Sequence, residues 1–338
     1  MCCWGGLVAL VVLVVLVGIA YQAIGGARDN RRFRPPGQMV DVGGYSLHIH
    51  SMGEGSPTVV FESALGGSSL SWALVRSDVA EFTRACTYDR AGLGWSDADP
   101  MPRTAQRIVE ELHTLLTNAG MKGPYVLVGH SFGGLTARLY AAQYPEEVGG
   151  MVLVDPVHPS QWLQMTEEQR KRLETGARLS RRGGIVARLG IARLTAFLVG
   201  AGALRIARFS VSLVSRGALN QRAEHILAPL KKLPPELWPI LRALWAQPKF
   251  FEALASEMEN LPESAAQVAA TGDYGATPLV VLAAGNPTTA RVMEQEAVAR
   301  LSSTGKIIVV PNSGHWIQLD QPQFVIDAIR DVLQPARR

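Results

Sequence analysis

The sequence predicts an α/β fold in which a mostly parallel sheet is flanked by helices, with a helical cap insertion and an N-terminal transmembrane helix. Strand-like runs that are apolar throughout, such as YVLVGH at 125–130, alternate with amphipathic helical segments along most of the chain. Strand signals disappear between about residues 158 and 272, and residues 1–27 carry no charge. The composition of 338 residues, 47% hydrophobic and 18% charged, fits a folded protein with a large core.

The first element is an apolar segment of the right length to cross a bilayer. No charged residue occurs from Trp4 to Ile24, and about 20 apolar residues span the hydrocarbon core of a membrane. A cleaved signal peptide is the main alternative, but it needs positive charge ahead of the apolar run, and none precedes Leu7. Arginines follow the run instead, at positions 28, 31, 32 and 34. The positive-inside tendency therefore predicts a single-pass membrane protein whose long C-terminal part faces the cytoplasm.

The elements after the Pro35-Pro36-Gly37 turn alternate between strand and helix patterns. Strands are predicted at residues 45–50, 56–63, 85–89, 125–131, 150–155, 277–285 and 306–310, and the first two of these are expected to be neighbours. Helices are predicted at residues 104–120, 135–145, 291–303 and 324–333, from apolar residues at helical spacing. This order is typical of a sheet whose parallel strands are connected by helices.

The insertion carries most of the positive charge of the chain. Between Arg170 and Arg222, eleven arginines and Lys171 stand against one acid, Glu174. Apolar residues interleave with these arginines, which is the pattern of a helix at an anionic membrane surface, and an ordinary solvated cap is the alternative. The whole chain has only 33 basic against 29 acidic residues, so a nucleic-acid partner is not expected. Its three cysteines exclude a disulfide framework and a cysteine-rich zinc site.

The hexapeptide Gly129-His130-Ser131-Phe132-Gly133-Gly134 carries the strongest functional signal. It contains the G-x-S-x-G pattern directly after an apolar strand and before a predicted helix. A serine on such a tight turn projects its hydroxyl out of the sheet, and the glycines avoid side-chain clashes around the turn. Ser131 is therefore the candidate nucleophile.

Two further stretches make the chain resemble the α/β-hydrolase superfamily over roughly residues 40–332. DRAGLGWSD at 89–97 is similar to the loop after the fourth strand of that family, and SGHWIQLDQP at 313–322 is similar to its terminal histidine motif. The resemblance implies an α/β-hydrolase fold, with the insertion in the position of the cap or lid. We expect an anchor at 1–27, a linker at 28–39, a core at 40–156 and 273–338, and a cap at 157–272.

A serine nucleophile needs a base and an acid that orients the base. His315 follows the last predicted strand, where the resemblance places the base. Members of this family commonly carry the acid after the seventh strand, but Asn286 is the polar residue found there, and Asp155 after the sixth strand is the preferred candidate. Glu294 and Glu296 are weaker substitutes, and Asp155 can instead be a residue that merely stabilises the junction with the cap.

The remaining site predictions concern the oxyanion hole and the substrate pocket. Acyl transfer needs two backbone N–H donors. Phe132, next to the nucleophile, is expected to supply one, and alignment of the glycines in FESALGG assigns the other to Leu65, although the His-Gly pair often found in relatives is missing. His130 is expected to shape the substrate pocket, and His158 at the start of the insertion to touch substrate.

These residues together predict a membrane-anchored serine hydrolase that cleaves a carboxylic ester, with an apolar or lipid-like substrate. Peptidase, thioesterase and carbon–carbon hydrolase activities stay open, because fold does not fix substrate. From a different class, a ligand-binding or membrane-interaction protein with little or no turnover is the other alternative. Metal-binding and nucleotide-binding motifs are lacking, and no cofactor is expected.

Overall fold

An eight-stranded sheet forms the centre of the structure, a computed structural model that describes residues 2–99, 101–200 and 228–336. The strands are β1 (Gln38–Asp41), β2 (Ser46–Met52), β3 (Thr58–Glu62), β4 (Ala85–Tyr88), β5 (Tyr125–His130), β6 (Val148–Val154), β7 (Leu279–Ala283) and β8 (Lys306–Val309). Their order is β1-β2-β4-β3-β5-β6-β7-β8. The pairs β1–β2 and β2–β4 are antiparallel and all other pairs are parallel, which confirms the predicted mostly parallel sheet.

One prediction about the sheet is wrong, because β2 and β3 are not neighbours. The strand β4 lies between them and pairs with β2 in antiparallel and with β3 in parallel orientation. After β3 the chain passes through a short helix and crosses over before it returns as β4, and a crossover of this kind brings two consecutive strands into parallel register. The hairpin partner of β2 is instead β1, which precedes it in the chain.

Helices cover both faces of the sheet. They are α1 (Cys2–Arg32), α2 (Arg76–Ala80), α3 (Ala105–Asn118), α4 (Gly133–Gln143), α5 (Ser160–Leu163), α6 (Glu167–Arg188), α7 (Ile191–Gly200), α8 (Trp238–Trp245), α9 (Pro248–Glu259), α10 (Leu261–Ala269), α11 (Thr289–Ala299), α12 (Ile317–Asp320) and α13 (Pro322–Ala336). Short 3₁₀ helices occur at Ser69–Trp72, Pro145–Glu147, Ala228–Lys232 and Pro235–Leu237. Alternate strand residues face opposite sides: Leu127 packs in the cluster with α3 and α4, and Val128 packs in the cluster with α2 and α13.

The N-terminal helix α1 is long and apolar enough to cross a membrane by length and composition. The most apolar window within Gly5–Arg32 has a mean hydropathy of 2.8 and is only 6% buried. The helix continues past the expected boundary at residue 27, because no proline occurs before Pro35. The chain after α1 is fastened to the core, where the indole Nε1–H of Trp95 donates to the carbonyl oxygen of Phe33 at 2.8 Å.

Between β6 and β7 the described part of the chain consists of helices and turns, without strands. The helices α6 and α9 pack side by side, with Phe251 against Gly183. Two ion pairs also join them, Arg181 with Glu259 and Arg188 with Glu252. Part of the arginine-rich apolar stretch, residues 201–227, lies outside the described residues. The part that is described, α7, packs against α1, and the turn before it places the carbonyl oxygen of Leu189 directly against Gly18.

Candidate active site

Three loops at one edge of the sheet hold the predicted nucleophile, base and acid. Ser131 directly follows β5, Asp155 directly follows β6, and His315 lies in the loop between β8 and α12. Because the carboxyl ends of parallel strands meet at the same edge, side chains at these positions can converge even though they are far apart in the sequence.

The turn at Ser131 is a strained connection between β5 and α4. Ser131 has a φ of 55°, in the left-handed region that non-glycine residues rarely adopt. The glycines around it are required by space: a Cβ on Gly134 would lie 2.6 Å from the Cβ of Pro156, and a Cβ on Gly133 would lie 2.5 Å from the carbonyl oxygen of Glu62. The turn therefore packs tightly against the ends of β3 and β6 and presents the Ser131 hydroxyl at the edge of the sheet.

The side chains of Ser131, His315 and Asp155 form a continuous hydrogen-bonded chain. The Oγ of Ser131 lies 2.9 Å from Nε2 of His315, and Nδ1 of His315 lies 2.6 Å from Oδ2 of Asp155. The imidazole is 45% exposed, whereas the carboxylate is 7% exposed. A hydroxyl, an imidazole and a buried carboxylate in this order can activate the hydroxyl as a nucleophile.

Asp155 is held by two residues of α11 that the sequence reasoning missed. The Nη2 of Arg291 donates to Oδ1 of Asp155 at 3.1 Å and to the carbonyl oxygen of Pro156 at 2.9 Å. The Nε2 of Gln295 donates to the same Oδ1 at 3.2 Å. Arg291 and Gln295 lie four residues apart on the helix that follows β7, so they share one face, and this spacing was the available signal.

The pKa of Asp155 reflects a balance between burial and these partners. Burial alone raises the pKa of this carboxyl group, but the hydrogen bond with His315 and the positive charge of Arg291 outweigh burial and hold the pKa below its ordinary value. Asp155 therefore remains a carboxylate at neutral pH.

Replacement of Arg291 by glutamine is expected to destabilise the protein by about 1–3 kcal/mol at pH 7, because a hydrogen bond from a charged group is lost. The folded pKa of Asp155 is depressed, so this stabilisation is present above the ordinary aspartate pKa of about 3.9 and is lost as the pH falls through the folded pKa. Urea unfolding in detergent between pH 3 and 7 checks the prediction. Arg300→Gln, directly after the same helix and exposed, is the control. If the loss of unfolding free energy in Arg291→Gln did not change with pH, the result would contradict the prediction.

The other candidate acids lie away from His315. Glu294 accepts a hydrogen bond from Nη1 of Arg291 at 3.3 Å and another from Gln161, and Glu296 pairs with Arg300 at 3.3 Å on an exposed face. Asn286, in the loop after β7, has a φ of 54°. Only Asp155, of the acids considered, contacts the imidazole.

The two histidines expected at the substrate pocket occupy different environments. His130 is fully buried, and its ring nitrogens lie 2.8 Å from the carbonyl oxygen of His315 and 3.0 Å from Nε2 of Gln318. Burial, with a smaller effect from His315, lowers the pKa of His130 to about 3, so the ring is neutral and holds the His315 loop in place. His158 is half-buried, and its Nδ1 lies 2.7 Å from Oγ of Ser160.

The loop after β3, which contains Leu65, is fixed by a buried ion-pair network. The guanidinium of Arg90 donates from Nη1 to the carbonyl oxygen of Ser63 at 2.7 Å and from Nη2 to that of Ala64 at 2.6 Å. Nε of Arg90 also donates to Oε1 of Glu257 at 2.7 Å. The other carboxylate oxygen, Oε2 of Glu257, accepts the N–H of Gly66 at 2.7 Å. A residue of α9 thus contacts the loop directly.

This network holds the loop in place although the His-Gly pair is missing. In the described part of the chain, neither the N–H of Leu65 nor that of Phe132 donates to another protein group. Arg90 belongs to the DRAGLGWSD stretch, but Glu257 lies in the insertion, where no local pattern distinguishes it from surface acids. Within the described ranges, no group of three or more histidine, cysteine or acidic side chains is placed to hold a metal ion.

Comparison with known proteins shows the same fold. A family model described as "Alpha/beta hydrolase family" matches residues 47–328. Among solved structures, an esterase from Thermogutta terrifontis superposes with a TM-score of 0.60 at 22% identity, covering 89% of this chain and 99% of that one. Identity this low shows the shared fold alone.

Matches to relatives found by sequence cover different shares of those proteins. The protein YqjL of Bacillus subtilis, whose function is uncharacterised, is 39% identical over 116 residues, and the match spans 46% of its length, so the chain covers about half of that relative. The sn-1-specific diacylglycerol lipase ABHD11 of Mus musculus is 26% identical over 281 residues, which cover 82% of this chain and 81% of that protein.

Proposed function

The chain belongs to the alpha/beta hydrolase family, and on that premise we propose that it is a membrane-anchored serine hydrolase that cleaves a carboxylic ester. The observation that carries this proposal is the hydrogen-bonded chain from Ser131 through His315 to Asp155, with distances of 2.9 and 2.6 Å. The serine at the nucleophile position also disfavours dehalogenase and epoxide hydrolase chemistry, since those reactions require an aspartate there.

The proposed reaction proceeds through an acyl-enzyme. Nε2 of His315 takes the proton of Ser131 as Oγ forms a bond with the ester carbonyl carbon, and Asp155 stabilises the resulting imidazolium. The N–H groups of Phe132 and Leu65 bind the oxyanion. Collapse of the tetrahedral intermediate breaks the bond to the alcohol oxygen, which receives the proton from His315. Water then attacks the acyl carbon as the same imidazole takes its proton. The bond between the acyl carbon and Oγ breaks, and His315 returns the proton to Oγ, which releases the acid and restores the Ser131 hydroxyl.

Membrane anchoring and an apolar substrate are the finer parts of the proposal. They are supported by the apolar helix α1, by the exposed apolar residues Leu194 and Phe197 on α7, and by the similarity to a protein named as a diacylglycerol lipase. An enzyme held at a bilayer meets ester substrates dissolved in that bilayer at high local concentration. The proposed substrate is therefore a lipid-derived ester.

Hydrolysis of nitrophenyl esters with short to long acyl chains, by the full chain in detergent, tests the proposed function. We expect turnover that rises with acyl length and is abolished by a fluorophosphonate. Turnover of amide or thioester analogues at a higher kcat/KM than the esters would contradict the ester assignment. If folded protein turned over none of these substrates, a binding role would replace the enzymatic one.

Glu257→Gln is expected to lower kcat by about 10- to 100-fold with little change in KM, because a displaced oxyanion donor weakens only the transition state. Among the described residues, the only ion pair left to the buried Arg90 would be its 3.3 Å contact with Glu62, so a loss of about 3 kcal/mol in unfolding free energy is also expected. Kinetics on a nitrophenyl ester and urea unfolding check both. Glu259→Gln, also on α9 but exposed, is the matched control. An unchanged kcat despite lower stability would show a purely structural role for Glu257.

A further inference from the structure

A cavity of about 790 Å³ lies between α1, α7 and α8, next to the C-terminal end of the apolar run of α1. Its wall includes the arginines Arg28, Arg31, Arg32, Arg193 and Arg242 and one acid, Asp29. Five positive charges against one negative charge make it the kind of site that attracts an anion.

Arg193 lines this cavity and contacts α1 through two side-chain groups. Its Nη1 pairs with Asp29, and its Nε donates to Oε1 of Gln22 at 3.1 Å. Its Nη2 is buried and has no hydrogen-bond partner among the described residues, while the side chain as a whole is 11% exposed. A buried guanidinium N–H without an acceptor is costly, so a ligand oxygen that reached this atom would be stabilising.

The described lining of the cavity carries too little negative charge to balance its arginines. The neighbouring sequence 201–227 contains four arginines and a single acid, Glu224. The net positive charge of the described lining therefore favours an anion from outside the chain.

The position of the cavity along α1 indicates which kind of anion binds there. Tyr21 and Phe33 line the cavity, and they lie on either side of Ile24, where the apolar run of α1 ends. Phe197, which is 64% exposed, forms part of the opposite wall. Arginines next to exposed aromatic side chains at the end of a spanning helix lie at the level of lipid headgroups, with the aromatic rings beside the first acyl carbons.

We propose that this cavity binds the phosphate headgroup of an anionic phospholipid. The phosphate oxygens accept hydrogen bonds from Nη2 of Arg193 and from the guanidinium groups of Arg242 and Arg28, and the acyl chains leave along α1 and Phe197. The proposal rests on membrane insertion of α1 but not on the esterase chemistry, because the cavity is formed without any of Ser131, His315 and Asp155.

Bound lipid would stabilise the contact between the anchor and the insertion. Gly25 leaves space for the Arg193 side chain against α1, and the amide Nε2 of Gln22 donates to the carbonyl oxygen of Ala246 at 3.1 Å. A phosphate bridging Arg28 of α1, Arg193 of α7 and Arg242 of α8 joins the same three elements.

Native mass spectrometry of the full chain, released from nanodiscs of equimolar phosphatidylglycerol and phosphatidylcholine, tests the proposal. We expect one phosphatidylglycerol to be retained preferentially. Arg242→Gln together with Arg28→Gln should reduce this retention by about tenfold or more, because two charge-assisted hydrogen bonds are removed. Arg300→Gln, which replaces an exposed arginine directly after α11 that does not line the cavity, should leave the retention unchanged. Equal retention of both lipids, or retention insensitive to the double variant, would overturn the proposal.

Three controls separate the possible failures. Inorganic phosphate at 10 mM should not displace the lipid, and displacement would show a site for a soluble anion instead. In detergent without phospholipid, turnover of a soluble nitrophenyl ester and the melting temperature should be the same in the double variant as in the unmodified protein. If the double variant misfolds, Arg242→Lys must retain the lipid and Arg242→Gln must lose it. Ser131→Ala should retain lipid in full. If Ser131→Ala loses turnover but retains the lipid, the result concerns the proposed esterase function alone and leaves the lipid site unaffected.

Discussion

Replacement of Ser131 by alanine is expected to lower kcat for ester hydrolysis by about 10⁵- to 10⁶-fold, the loss seen when a catalytic serine is removed from a serine hydrolase. The hydroxyl is the atom that forms the acyl-enzyme, and no neighbouring group in the described site can replace it. KM should change little, because the hydroxyl contributes mainly to the transition state. The measurement is hydrolysis of a nitrophenyl ester by the full chain, together with labelling by a fluorescent fluorophosphonate.

Ser303→Ala is the matched control for this experiment. Ser303 is an exposed serine whose Oγ donates only to the carbonyl oxygen of Gly275, so its removal should leave turnover and labelling intact. Residual activity of more than about 1% in Ser131→Ala would contradict the assigned nucleophile. Labelling that persisted in Ser131→Ala would direct attention to another serine.

Replacement of Asp155 by asparagine is expected to lower kcat by about 10⁴-fold with the fold intact. Two donors, Nη2 of Arg291 and Nε2 of Gln295, face Oδ1, so the asparagine would turn its carbonyl oxygen toward them and its NH₂ group toward His315. Nδ1 of His315 would then have to accept a hydrogen bond, which places the ring proton on Nε2. In that tautomer the imidazole cannot take the proton of Ser131.

The comparison of Asp155→Asn with two other variants identifies the acid. Asp327→Asn, on the exposed face of α13, is the matched control and should retain full activity. Glu294→Gln should lower kcat far less than Asp155→Asn, since Glu294 contacts Arg291 but not His315. Retention of most of the activity by Asp155→Asn would show that another acid serves His315. Nitrogen NMR of the ring of His315 would report the tautomer directly, because X-ray structures at ordinary resolution do not show hydrogens.

The sequence indicated Ser131 by a local pattern, a strand followed by a tight turn, and His315 by its place after the last strand, where the family resemblance puts the base. Asp155 required a different kind of reasoning, namely the order of residues along the chain and the absence of an acid near Asn286. The distances of 2.9 and 2.6 Å then depend on how the parallel strands align, which no local pattern contains. The sequence therefore predicted which side chains converge but not how Asp155 is held.

The parts that were missed are all contacts between distant segments. The separation of β2 from β3 by β4 depends on pairing of Ile49 with Tyr88, residues that are far apart in the sequence. The contact of Glu257 with Gly66 spans even more of the chain. An acid on an amphipathic helix looks the same in sequence whether it faces water or a buried arginine, because helical periodicity does not show what packs against the helix.

The close packing of the Leu189–Gly190 turn against Gly18 determines how deep the insertion would sit in a bilayer. Gly18 lies six residues before Ile24, and a rise of about 1.5 Å per residue places it roughly 9 Å beneath the end of the apolar run. One corner of the insertion is then immersed among acyl chains. Its encounter with substrate becomes a two-dimensional process, so the rate should follow the mole fraction of substrate in the membrane. Dilution of the vesicles with buffer would leave that rate unchanged, whereas dilution of the substrate with inert lipid would lower it.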